Sequence, residues 1–177
     1  SIPKSPEEVV TGPANAKGVI GIGVFKANKP FLLMHESCSA NWDGSGDYDP
    51  FTIYCVAAEQ YTKGTIFQSP LNSRYTNHFF SLIAIGDTAD PSMKLLKSIK
   101  LDGKFVYVIT PSFLGNRIPG TNFYYVRIPV TSGAHTIYGD TPFGGEIYGF
   151  GQFDSYGWPA ATAFKQDRKS TRLNSSH

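Results

Sequence analysis

Asn41 to Pro50 reads NWDGSGDYDP, with three carboxylates, Asp43, Asp47 and Asp49, between Cys38 and Cys55. Oxygen donors at this spacing are the raw material of a calcium site. Three crowded carboxylates also repel one another unless a cation sits between them. An EF-hand loop is excluded. Counting from Asp43, the sixth position is Tyr48 rather than Gly, and the twelfth is Tyr54 rather than Glu. A looser calcium site on Asp43, Asp47 and Asp49 stays open. So does a plain solvated connection, in which Asp and Gly serve turn geometry alone. The cysteines bracket this loop and contain no CxxC pair, so structural zinc is not indicated. A Cys38–Cys55 disulfide in an oxidising compartment is the alternative to two free thiols. In the chain-entropy picture it contributes about 3 kcal/mol.

Other chemistry is sparse. His35, His78 and His135 are scattered, with no HExxH. No nucleophile elbow, phosphate loop or dinucleotide fingerprint occurs; Ser155 sits in FDSYG, which fits none of them. Glu36, Asp43, Glu59 and Glu146 can supply a glycosidase pair only if the fold sets two of them at the right separation, so catalysis is not expected. The run EIYGFGQFDSYGWPAA is dense in aromatics. Tyr148, Phe150, Tyr156 and Trp158 are candidate ligand-binding residues, an aromatic platform for a sugar or peptide. Core packing with a tight turn at DSYGWP is the competing reading. Tyr148 and Phe150 share one strand face, with Gly149 and Gly151 on the other, where small residues admit a close neighbour.

The elements that must position these residues read as β. KGVIGIGVF is apolar on both faces and predicts a central, doubly covered strand. PFLLMHES opens on a proline, which a strand tolerates at its first residue. FTIYCVAA, TIFQS, HFFSLIAI, SIKL, KFVYVIT, FYYVRIPV, AHTIY and EIYGFGQF complete about ten short strands. Asp102-Gly103 between SIKL and KFVYVIT is a strong hairpin signal, because both turn residues take positive φ. DPSMKLL allows at most one short helix near residues 91–97, with Asp90 as N-cap and Pro91 at the first turn. The expectation is an all-β fold, an antiparallel β-sandwich or sandwich-like sheets. Residues 1–16 read as a linker or truncated strand, 17–164 as one β domain, and 165–177 as a non-native tail.

Aromatics make up 14% of the chain and charged residues 17%, which suits a β-rich surface better than a helical bundle. No stretch is long enough for a transmembrane helix. Residues 167–177, DRKSTRLNSSH, read as the translation of a short-read sequencing adapter. The formal charge of +2 disappears with them, since they carry Arg168, Lys169 and Arg172 against Asp167. No basic footprint for nucleic acid or anionic membrane remains.

DPFTIYCVAAEQY, KLDGK and VRIPVTSGAHTIYGDTPFGGEIYGFGQFDSYGWPAA, in this order, resemble the N-terminal domain family of the IgGFc-binding protein. The resemblance spans most of Lys17 to Ala161 and covers the C-terminal portion of the family's domain. It implies a secreted or cell-surface β-rich binding or adhesion module of a larger, multidomain bacterial protein. Its implied partners are an extracellular protein or glycan. It supplies no catalytic residues and no cofactor. The alternative expectation is a carbohydrate-binding or accessory domain attached to a glycoside-active enzyme.

Overall fold

A computed structural model describes residues 22–37 and 49–163, together with the backbone of 9–11 and 17–19. Eleven strands dominate it. Val9–Thr11 (β1) and Lys17–Val19 (β2) pair antiparallel as a separate hairpin, as do Met34–Glu36 (β3) and Thr52–Tyr54 (β4). The other seven strands form one curled antiparallel sheet. They are Thr62–Ser69 (β5), Tyr75–Ile85 (β6), Lys100–Leu101 (β7), Lys104–Phe105 (β8), Phe123–Val130 (β9), Gly133–Gly151 (β10) and Asp154–Pro159 (β11).

β10 organises that sheet. Its first half pairs with β5 on one side and β7 on the other; its second half pairs with β11 and β6. The ladder to β5 shifts register between Tyr138 and Phe143, and there the sheet bends. Thr141, 1% exposed, pins the bend by donating its hydroxyl to the Ile85 carbonyl. Residues 134–138 alternate buried and exposed, the signature of a sheet with one wet face. From Phe143 onward β10 is buried on both faces. One face joins the main core. On the other, Tyr148 packs with Phe51 and Ile53 from the β3–β4 hairpin.

The bend brings the two halves face to face. Phe67 of β5 stacks on Phe80 of β6 with ring centroids 4.4 Å apart, and His135 of β10 stacks on the other side of Phe67 at 5.2 Å. The sandwich-like all-β expectation holds, as one sheet curled on itself.

Several local expectations change. Among the described residues Lys17–Val19 pairs with Val9–Thr11 alone, and Ile22 and Phe25 are exposed, so the described part of KGVIGIGVF is not a central covered strand. Ile20 and Gly21 lie outside the described residues. AHTIY and EIYGFGQF belong to one 19-residue strand, because the Gly-containing bend interrupts the ladder without ending it. The Asp102-Gly103 turn forms as predicted, with φ of 50° and 78°.

The helix limit fails, because a second helical turn exists. KFVYVIT leaves the strand after Phe105, and Val106–Ile109 forms one turn of helix. Val106 donates its N–H to the Ile99 carbonyl and is fully buried, while Val108 is exposed. Pro111 then opens a 3₁₀ turn, Pro111–Gly115, since it cannot donate to a ladder. The expected helix is present at Lys94–Lys97, but it starts after Met93 in the left-handed region. Asp90 does not cap it directly. Its carboxylate accepts the Ser92 hydroxyl, the Ser92 N–H and the Lys94 N–H, and these bonds, the Ser92 hydroxyl first, hold its pKa below the usual value.

Candidate functional site

β5 and β11 lie on the same side of β10, and the bend turns them into the two lips of the open side of the sandwich. Between them is a groove of about 430 Å³, walled by Ile66 to Pro70 on one lip and Trp158 to Ala160 on the other. Side chains on a strand alternate between faces. A wall of five consecutive residues therefore runs along the strand's edge, not over one face. Ile66 and Leu71 are 75% and 73% exposed, and Trp158 is 39% exposed. Beneath them Ser69 is fully buried; its hydroxyl donates to the Thr131 carbonyl at 2.7 Å and accepts the Gly133 N–H at 2.9 Å. The lip is thus anchored while its apolar rim is wet.

Of the four aromatic candidates, the structure places Trp158 at this groove. Tyr156 stacks beside it with centroids 4.7 Å apart, but is buried and hydrogen-bonded to His78. Tyr148 and Phe150 face the second, smaller apolar cluster under β4, with Phe51 and Phe79. The four are therefore split over three environments and do not form one platform. Ile66 and Gln68 were not singled out by sequence. Their only signal was TIFQS itself, an uncharged strand segment ending at a proline.

A family model described as IgGFc binding protein matches residues 5–149. The chain belongs to this family. No curated protein and no solved structure matches it.

In this IgGFc-binding family member only Asp49 and Pro50 of the acidic stretch are among the described residues. Asp43, Asp47 and Cys38 lie outside the described residues; Asp49 is exposed. Cys55 is a free thiol. Its N–H donates to the Leu33 carbonyl, whereas Ser37 pairs with Phe51, four residues away and about 13 Å along an extended strand.

Cys55 also neighbours Glu146, whose carboxylate meets the His35 Nδ1 at 3.0 Å. Burial, then the Glu146 charge and hydrogen bond, push the Cys55 thiol up to about 11. Burial and the same carboxylate push Tyr61 up to about 12. The hydrogen bond to Glu146 raises His35, with burial opposing it. A nucleophilic cysteine needs the opposite shift, so this cluster does not activate a thiolate. Among the described residues no group of three or more His, Cys, Asp or Glu side chains is arranged to hold a metal ion. No helix among them is long and apolar enough to cross a membrane.

His78 is a buried titrating group behind the groove, joined to it through Tyr156, whose ring lies against Trp158. Its Nδ1 faces the Tyr156 hydroxyl at 2.6 Å. Burial lowers its pKa, with the neighbouring His135 adding to the effect and a backbone contact at Tyr75 opposing it. The folded pKa is depressed below the unfolded value of about 6.5, so its stabilisation is present above that pH and is lost as pH falls through the folded pKa. Melting temperature is expected to decline below about pH 6.5. His78→Asn keeps an acceptor for Tyr156 but cannot titrate, so it should flatten that part of the pH–melting curve. An unchanged slope in His78→Asn would assign the decline to another group.

Proposed function

We propose that the chain is a binding and adhesion module of a larger secreted or cell-surface protein, of bacterial origin, without catalysis of its own. It holds an extracellular protein partner at the groove between β5 and β11. The observation that supports this most directly is the pair of exposed apolar side chains, Ile66 and Trp158, on the two lips of a groove whose β5 lip is anchored through Ser69. Exposed apolar patches bordering a groove mark interaction sites on soluble proteins. Family membership supports an extracellular binding role. It leaves the ligand to be found, because ligand identity lives in the site and not the fold.

The test is biolayer interferometry of the 177-residue chain on immobilised immunoglobulin Fc, fibronectin, collagen and mucin, with a glycan array alongside. Binding to a protein on the panel, weakened at least tenfold by Ile66→Ala with Trp158→Ala, is the expected result. Binding confined to glycans would transfer the chain to the alternative reading, an accessory carbohydrate-binding domain.

A calcium ion on Asp43, Asp47 and Asp49 belongs to this proposal as a stabiliser of the loop before β4. A ligand bound only by the native state raises its stability. The midpoint of thermal unfolding should rise in millimolar calcium and fall back with chelator; identical midpoints would remove the ion from the proposal.

A further inference from the structure

The direction of the β5 backbone follows from its neighbours. Thr136 donates its N–H to Asp102 Oδ1, and its carbonyl accepts the Asp102 N–H, so its polar groups face β7. Ile137 therefore faces β5, where it is opposite Thr65. By alternation Thr65, Phe67 and Ser69 bond to β10, while Gly64, Ile66 and Gln68 point their N–H and C=O groups outward. Gly64 is closed off by the Thr62 hydroxyl, which contacts both its carbonyl and its N–H. Among the described residues, Ile66 and Gln68 have no backbone partner on that side; Ile66 has only the Thr65 hydroxyl at 3.4 Å from its carbonyl.

The other long edges are blunted. β9 is covered at one end by residues 116–118: Arg117 bridges opposite Tyr124, Ile118 donates its N–H to the Phe123 carbonyl and the Asn116 carbonyl accepts the Tyr125 N–H; beyond these its outward residues are Arg127 and Pro129. β11 ends at Pro159, which lacks an N–H, and Ile53 packs over its Gly157. β8 has two residues. Natural sheets protect open edges with charge, proline or a covering segment, because an unprotected edge templates another strand. β5 has none of these between Gly64 and Ser69, and Lys63 is its only charge.

We infer that the free edge of β5 takes an extended segment of a partner protein by strand addition, with Trp158 and Pro159 as the facing wall. The polar complement of Ile66 and Gln68 is another backbone, which neither a sugar nor a helix supplies in this spacing. The bound segment is uncharged where it passes Ile66 and Gln68, apolar at alternate residues, and acidic where it reaches Lys63. This rests on the reading of the chain as a protein-binding module.

The probe is a phage-displayed library of random heptapeptides, selected on the 177-residue chain. Selected peptides, made synthetically, are then titrated by intrinsic tryptophan fluorescence in a Trp42→Phe background, which leaves Trp158 as the reporter. They should alternate apolar and polar residues, lack proline at ladder positions, and lose at least tenfold in affinity when alternate amides are N-methylated. Gln68→Pro removes an outward N–H without touching the bonds to β10, and should weaken binding equally while leaving the melting temperature near wild type. If that variant is unstable, the N-methylated peptides still decide, since they leave the protein unchanged.

Peptides that tolerate N-methylation in every register, or no enrichment at all, would overturn strand addition. Self-association of the wild-type chain that Gln68→Pro abolishes would overturn it in favour of a second copy. A panel protein that binds Gln68→Pro normally but not Trp158→Ala would leave the module reading standing and remove only the strand.

Discussion

Phe80→Ala is expected to destabilise the fold by about 3–5 kcal/mol, the cost of truncating a buried aromatic. For a chain of this size that lowers the melting temperature by roughly 6–20 °C. Phe80 is fully buried, stacks on Phe67 and lies between the two halves of the curled sheet. Its ring tip rests over Gly145 of β10: a Cβ built there would lie 2.3 Å from the ring. The ring therefore occupies the space that any other residue at position 145 would need. Gly145→Ala should destabilise wild type by forcing the ring aside, and should cost much less in the Phe80→Ala background, where the space is open. Residues in contact couple in this way, whereas distant ones add. Additive effects in chemical denaturation would show that the ring and the glycine do not share that space.

The same region shows what the sequence makes legible. HFFSLIAI and FYYVRIPV alternate by period two, and His78, Phe80, Leu82 and Ala84 fall on the buried face with Tyr124, Val126 and Ile128. Asp102-Gly103 needs only local geometry, so its turn was readable. YGFG places Tyr148 and Phe150 on one face with Gly149 and Gly151 on the other, and the structure gives each face its own apolar cluster. What covers each face was not readable, because β4 and Phe67 of β5 arrive from distant parts of the chain. KGVIGIGVF was misread because an apolar run looks the same whether or not neighbours come to cover it. The groove failed for a related reason. Nothing in TIFQS or GWPAA marks them as neighbours; they meet only because β10 is long, bent and shared by both. An edge is a property of sheet order, and sheet order is not written in any one strand.

Asp102→Ala should destabilise the fold by about 2–3 kcal/mol, combining a lost bond to a charged group with roughly 1 kcal/mol for Ala in a left-handed turn. His135 is 5% exposed, and both its ring nitrogens face acceptors: Nδ1 meets Asp102 Oδ2 at 2.7 Å and Nε2 meets the Thr131 carbonyl at 2.8 Å. The carboxylate that faces it also accepts the Thr136 N–H. One side chain thus ties the β7–β8 turn to β10 and sets the ring that stacks on Phe67. Burial pushes the Asp102 carboxyl up, but the His135 hydrogen bond, the Thr136 N–H and the charges of His135 and Lys104 outweigh it, and the net pKa is below the ordinary value. A depressed folded pKa contributes stability above the unfolded value of about 3.9 and loses it as pH falls through the folded one. The gap between wild type and Asp102→Ala should therefore be full at neutral pH and narrow below about pH 4. Asp102→Asn separates the two causes, since Asn tolerates the left-handed turn but brings no charge. Full wild-type stability in Asp102→Asn would show that the turn, and not the carboxylate on His135, carries the effect. A gap that persists unchanged at pH 2 would show the same from the side of titration.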